Sequence, residues 1–134
     1  MTLDAGTFEQ VSKNGGEAPL VSPDGQWLYF TKRDGADGIW RMPTGGGTEI
    51  QVVDASYRYN FAPTAAGIYF ETPLSADGTS AVRFKDFKTG GTTEIVKTTK
   101  PVDLGLAVSP DGRFLIFTTL DYVGADLMLV EHFR

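Results

Sequence analysis

The sequence predicts an all-β fold built from three copies of one four-stranded unit. Three observations predict it. The stretch "LVSPDGQWLYF" (20–30) returns as "AVSPDGRFLIF" (107–117). Pro23, Pro63 and Pro110 stand 40 and 47 residues apart, and each leads into an apolar strand. Sixteen glycines and seven prolines punctuate the 134 residues, as many short strands with tight turns require.

Each unit reads the same way from its amino end. A short stretch of mixed polarity comes first: "APLV" (18–21), "YRYNF" (57–61) and "LGLAV" (104–108). The proline turn follows. In "SPDG" the proline sets φ for the first corner, the Asp bonds nearby backbone N–H groups, and the Gly takes a positive φ. Pro23, Asp24 and Gly25 therefore carry one turn, and Pro110, Asp111 and Gly112 the other. The middle copy, "FAPTAAGIYF", keeps the proline and loses the Asp-Gly. Next come the strands "QWLYF", "GIYF" and "RFLIF", then "GIWRMP" (38–43), "AVRFKDF" (81–87) and "DLMLVEHF" (126–133). Gly-rich turns lead to the fourth strands, "GGGTEIQVV" (45–53) and "GGTTEIVKT" (90–98). These runs are mostly apolar, as in strands covered on both faces. A unit of that kind needs a neighbour on each side, which is the logic of a β-propeller blade.

"SPDGQWLYFTKRDGADGIWRMPTGGGTEIQV" closely resembles the blade repeat of TolB-like, WD-type β-propellers. The resemblance spans nearly the whole chain; it is strong in the first copy and over 107–117, and weak in the middle. The closing "DLMLVEHFR" also resembles the ends of bacterial TolB-like propellers. The resemblance implies an interaction platform, in a family whose members are often fused to a sensor or regulatory domain. Some propellers with similar repeats are accessory domains of peptidases, whose catalytic motifs do not occur here.

With strands lettered a to d from the inside outwards, "AGTFEQVSK" (5–13) aligns with the two d strands. The order is then d, abcd, abcd, abc: blade 1 over 18–54, blade 2 over 57–99, and blade 3 over 104–134 without its own d. Three blades are too few for a ring of four to eight. The expectation is a C2 homodimer forming a six-bladed ring, residues 5–13 of each copy completing the other's third blade. Phe8 and Val11 on the exchanged strand would pair with the strand that carries Leu127 and Leu129.

The chain is expected to be non-enzymatic and free of cofactors and metals. His132 is the only histidine and sits near the carboxyl end, without a nucleophile-elbow motif. "DGADG" (34–38) and "SADG" (75–78) lack EF-hand ligand spacing and read as turns. The Gly-Gly turns precede no helix, so they offer no phosphate site. A net charge of −5 argues against nucleic acid as a partner, and no apolar run approaches the length of a membrane span. "MTLDAGTFEQVSKNG" has no signal-peptide core, so a soluble chain, cytoplasmic if expressed as it stands, is expected. The absence of cysteine leaves the redox compartment open.

A ligand face is expected from the loops 13–18, 31–38, 54–57, 71–80, 97–103 and 118–125, the d-to-a and b-to-c connections. Tyr57, Arg58, Tyr59 and Asn60 are bulky and polar where the other copies carry "EAPL" and "LGLA". On the innermost strand of blade 2 and its lead-in loop, they are the candidate channel-side binding residues for a peptide, protein or small ligand. The alternatives are a purely structural half-propeller belonging to a larger sensor or regulator, and an accessory domain of a hydrolase.

Overall fold

The computed structural model describes residues 6–121 and 124–133. The expectations at Ala5, Arg134 and residues 122–123 therefore lie outside the described residues. Among the described residues, eleven strands form three antiparallel sheets. The first sheet runs β1 (Glu17–Val21), β2 (Trp27–Thr31), β3 (Ile39–Pro43), β4 (Ile50–Val53). The second runs β5 (Phe61–Pro63), β6 (Gly67–Glu71), β7 (Ala81–Asp86), β8 (Thr92–Lys97). In the third, β10 (Phe114–Asp121) lies between β9 (Val102–Val108) and β11 (Gly124–Glu131). One 3-10 turn (Arg33–Gly35) interrupts the β2–β3 connection. Among the described residues no helix is long and apolar enough to cross a membrane.

Each sheet is a meander, and its proline turns are held by chemistry written locally. Gly25 N donates to Ser22 O at 2.9 Å, and Gly112 N to Ser109 O at 2.8 Å. Asp24 Oδ1 accepts from Ser22 Oγ and from Gln26 N; Asp111 Oδ1 accepts from Ser109 Oγ and Arg113 N in the same way. The serine hydroxyl bond comes first in holding each carboxyl below the usual range, with the backbone N–H second. In the middle copy Thr64 takes over, its N and Oγ1 both bonding Gly67 O.

The sheets stack through two apolar layers. Tyr29, Ile39, Val52 and Val53 of the first sheet pack on Phe61, Ile68 and Phe70 of the second. Tyr69 and Val82 on the second sheet's opposite face pack on Val102, Leu115 and Phe117 of the third. Alternation along β6 produces this split, Ile68 and Phe70 facing one neighbour and Tyr69 the other. The inner strands β1, β5 and β9 lie side by side.

Two expected boundaries differ. Residues 57–60 form a turn, and the inner strand of the second sheet starts at Phe61. Arg58, at φ 44°, cannot continue an extended strand. The connection expected over 118–125 is mostly strand, with Thr118 paired to Leu127 and Leu120 to Ala125. Thr118, Thr119 and Leu120 simply prolong the apolar and β-branched run.

Residues 6–16 form no strand within the chain. Phe8 is fully exposed, Val11 lies beside Gly46, and Lys13 N donates to Glu49 Oε1. Glu49 also pairs with Lys32, whose bond holds the carboxyl below its usual range. Apolar side chains remain exposed at both ends of the stack: Val21 and Ile50 on the first sheet; Ile116, Leu120, Leu127 and Leu129 on the third.

Candidate binding site at the β4–β5 turn

The turn ahead of β5 is held from below and from the side. Tyr57 N donates to Glu71 O at 2.8 Å, and Glu71 N donates to Asn60 O at 3.0 Å, so both ends are fastened to β6. Ser56 is buried; its N donates to Gly35 O at 3.0 Å and its Oγ to Arg58 O at 3.4 Å. Gly35 has φ +87°, and a Cβ there would sit 2.6 Å from Ser56 O and 2.7 Å from Arg58 O. Only glycine lets the two connections approach this closely.

The β2–β3 connection and β1 complete the cluster. Tyr59 OH donates to Asp34 Oδ1 at 2.6 Å, and Asp34 N donates to Glu17 Oε2 at 3.0 Å. The Asp34 bond raises the Tyr59 phenol above its ordinary pKa, so it stays a donor at neutral pH. Ala18, Arg33, Asp34 and Arg58 all have φ between 44° and 55°. Non-glycine residues in this region are strained and persist where surrounding contacts over-determine them. Four of the five among the described residues meet in this one cluster, the fifth being His132.

The four predicted residues divide. Arg58 and Tyr59 are exposed, with the Arg58 guanidinium 5.6 Å from the Tyr57 ring centre. Tyr57 is half-buried against the second apolar layer. Asn60 is buried at 1% exposure and faces inward. Its Nδ2 donates to Glu71 Oε2 at 2.6 Å and to Asp103 O at 2.8 Å, and its Oδ1 accepts from Gly105 N at 2.8 Å. The β9–β10 register shifts between Val102 and Leu106, leaving these β9 groups free for Asn60. Asn60 is thus a brace between the second and third sheets.

Glu71 is fully buried, with Oε1 unpartnered. Burial pushes its pKa up to about 7, against the smaller opposing pull of the Asn60 bond. The sequence does not mark Glu71 or Glu17 as site residues, and it offers Asp34 only as a turn residue. The signal for Glu71 was present: "GIYFE" ends in Glu where "WLYFT" and "FLIFT" end in Thr. Asp34 read as ordinary turn chemistry, and its Tyr59 bond spans 25 residues. In "SADG", Asp77 bonds Thr79 N and Oγ1, and these bonds lower its pKa. His132 is exposed, its Nε2 3.6 Å from Glu131 Oε2. The arrangement presents a guanidinium, two aromatic rings and two carboxylates on pre-set backbone. That set suits polar recognition.

No family model matches the chain. A curated relative, "Uncharacterized protein Atu1656" of Agrobacterium fabrum (strain C58 / ATCC 33970), is 33% identical over 60 residues, 42% of this chain and 20% of that protein. Among solved structures, TolB from Acinetobacter baumannii aligns with a TM-score of 0.66 at 16% identity, over 90% of this chain and 31% of that one. A putative 6-phosphogluconolactonase from Bacteroides fragilis NCTC 9343 aligns with a TM-score of 0.52 at 15% identity, over 92% and 40%. The chain thus spans less than half the length of each of these three proteins. At these identities the likeness is one of fold: the three sheets are propeller-like and similar to those of TolB.

Proposed function

We propose that this chain is a non-catalytic assembling scaffold. Three blades close with a second copy into a two-fold, six-bladed ring, which presents the Arg58–Tyr59–Asp34 cluster to a peptide or polar small ligand. The unfinished third sheet carries the reading. It has three strands among the described residues where the other two sheets have four, and its outer strand β11 exposes Leu127 at 75% and Leu129 at 54%. An exposed apolar edge strand is a template for another strand. Residues 6–13 align in sequence with β4 and β8, the fourth strands of the first two sheets. Val11 and Lys13 are anchored beside the first sheet while Phe8 is fully exposed, and in this reading residues 6–13 add to the third sheet of a second copy. Covering about 500 Å² of apolar surface at each of two junctions is worth on the order of 10 kcal/mol apiece, before association costs.

The non-catalytic part of the reading is supported by where the carboxylates are engaged. Asp24, Asp77 and Asp111 hold turns, Asp34 holds Tyr59, and Glu49 pairs with Lys32. The part-length match to each relative favours one other reading, in which further blades of a longer polypeptide close the ring. Multi-angle light scattering of the 134-residue chain at micromolar concentration separates the two. A mass twice the 14.5 kDa of one chain is expected. A stable monomer overturns the two-copy ring and leaves the longer polypeptide.

A further inference from the structure

We propose a carboxylate-binding site at the junction of the first two sheets, built on Arg41 and separate from the β4–β5 cluster. Arg41 lies on β3 directly opposite Tyr29, on the face turned to the second sheet. The matching position in the second sheet is Phe84, opposite Tyr69; in the third it is Leu129, opposite Ile116. The blade plan therefore calls for an apolar side chain here, and the first sheet carries a guanidinium instead.

Aromatic rings hold that guanidinium. Its central carbon lies 4.3 Å from the Trp27 ring centre and 5.4 Å from that of Phe87, while Tyr29 and Phe87 stack at 6.0 Å with rings 2° apart. Stacking engages the faces of the cation and leaves its in-plane N–H donors unused. No ion pair among the described residues involves Arg41, and its Nε is buried without a hydrogen-bond partner. A partly buried cation with an unmet donor is costly, and an anion removes that cost.

A cleft of about 140 Å³ opens beside it, bounded by Pro23, Asp24, Trp27, Thr64 and Phe87. Two hydroxyls at the cleft are already engaged: Ser22 Oγ donates to Asp24 and accepts from Trp27 N, while Thr64 Oγ1 turns back on Gly67; the Tyr29 hydroxyl stands beside Arg41 as a second, neutral donor. Arg41 supplies the charged donors. The volume suits one planar carboxyl group with its methylenes against the indole and phenyl walls. The terminal N–H groups of the guanidinium offer the paired donors that carboxylates accept. Asp24 in the same cleft and the chain's net charge of −5 disfavour a doubly charged phosphate. The occupant is an Asp or Glu side chain of a partner peptide, entering at the "SPDG" end of β2, away from the Asp34–Tyr59 cluster.

The test is heteronuclear NMR of the full chain titrated with three probes: acetyl-Gly-Glu-Gly-amide, its Gln counterpart and inorganic phosphate. The Glu peptide is expected to shift the Arg41 Nε–H and Trp27 indole signals saturably. The Gln peptide should bind about tenfold or more weakly, since the charged fork is lost. Arg41→Leu, the residue used in the third sheet, should keep the wild-type melting temperature within a few degrees and abolish the shift at Trp27. Should that variant fail to fold, Arg41→Lys keeps the charge without the fork and should weaken binding by a similar factor. No saturable shift, equal affinity for Glu and Gln peptides, tighter binding of phosphate, or unchanged binding in either variant each overturns the site.

Discussion

The buried pair Asn60 and Glu71 makes two residue-scale predictions. Burial raises Glu71 from 4.5 to about 7, so the folded chain binds a proton that the unfolded chain has released between those values. Stability from this group is therefore complete below about 4.5, falls as pH rises, and reaches its full loss above about 7. Between pH 5 and pH 8 the loss amounts to about 2–3 kcal/mol. Asp24, Asp77 and Asp111 work in the opposite sense: their lowered values favour folding above their unfolded pKa, and that support is lost as pH falls through the folded values. The facing elements offer Glu71 little compensation: Arg83 and Lys85 on β7 line the cleft toward the first sheet, and Asp103 on β9 is itself acidic. Glu71→Gln keeps an acceptor for Asn60 Nδ2, so its urea unfolding free energy should be flatter over pH 5–8 than the wild type's. Parallel curves would remove Glu71 as the cause. Asn60→Ala strands Gly105 N, Asp103 O and the Glu71 carboxyl, and should cost about 3 kcal/mol in the same assay. Bulk and polarity marked 57–60 as unusual in the sequence, but its hydrogen-bond partners lie 43 and 45 residues away, where no local pattern points. The exposed half, Arg58 and Tyr59, was legible as a candidate site; the brace beneath it was not.

Turns are the elements that the sequence announces most directly, because Pro, Asp and Gly act within four residues. Both "SPDG" turns follow their local chemistry, and Thr64 shows how the middle copy manages without it. The turn over 57–60 was less legible. Its residues alternate like a strand, and a tertiary demand, the close approach of Gly35, bends them instead. Two glycine substitutions separate local strain from tertiary approach. Gly25, at φ +74°, has nothing within 4 Å of an added Cβ, so Gly25→Ala should cost only the left-handed strain, about 1–2 kcal/mol. Gly35 has a similar φ of +87° but faces two carbonyl oxygens. Gly35→Ala should cost at least 1 kcal/mol more, and the displaced turn should separate Tyr59 OH from Asp34. Denaturant midpoints measure the first effect, and a fall of the Tyr59 phenol pKa toward its ordinary value in UV titration reports the second. Equal midpoints for the two variants would mean that the β2–β3 connection gives way freely.

At the scale of the whole molecule, the recurring proline turns and apolar strands made three units legible, because a blade repeats one order of strands and turns even where its length varies. The sequence also pointed to a third sheet one strand short. The chemistry of closing it is a matter of edges, and edges make testable demands. On the proposed two-copy ring, residues 6–13 add to β11, and the outward face of the third sheet packs on the first sheet of the other copy. Ile116 alternates with Leu115 and Phe117, which face the second sheet, so Ile116 and its cross-strand partner Leu129 face outward. Leu127, opposite Thr118, shares that face. Replacing Leu127 and Leu129 together by Asp sets two carboxylates where an apolar junction should form. Within one copy both side chains are more than half exposed, so the fold of a single chain loses little burial. The double variant should therefore remain folded by far-UV circular dichroism while its mass falls to that of one chain. Deleting residues 1–11 acts on the same edge from the other side: it removes the strand but leaves the Lys13–Glu49 anchor in place. That truncation should weaken association by at least tenfold in sedimentation equilibrium, and mixing it with full-length chain should yield hybrid rings with one closed and one open seam. A truncated chain that associates as tightly as the full one, with an unchanged melting temperature, would rule out strand addition and leave face-to-face packing as the sole contact between copies.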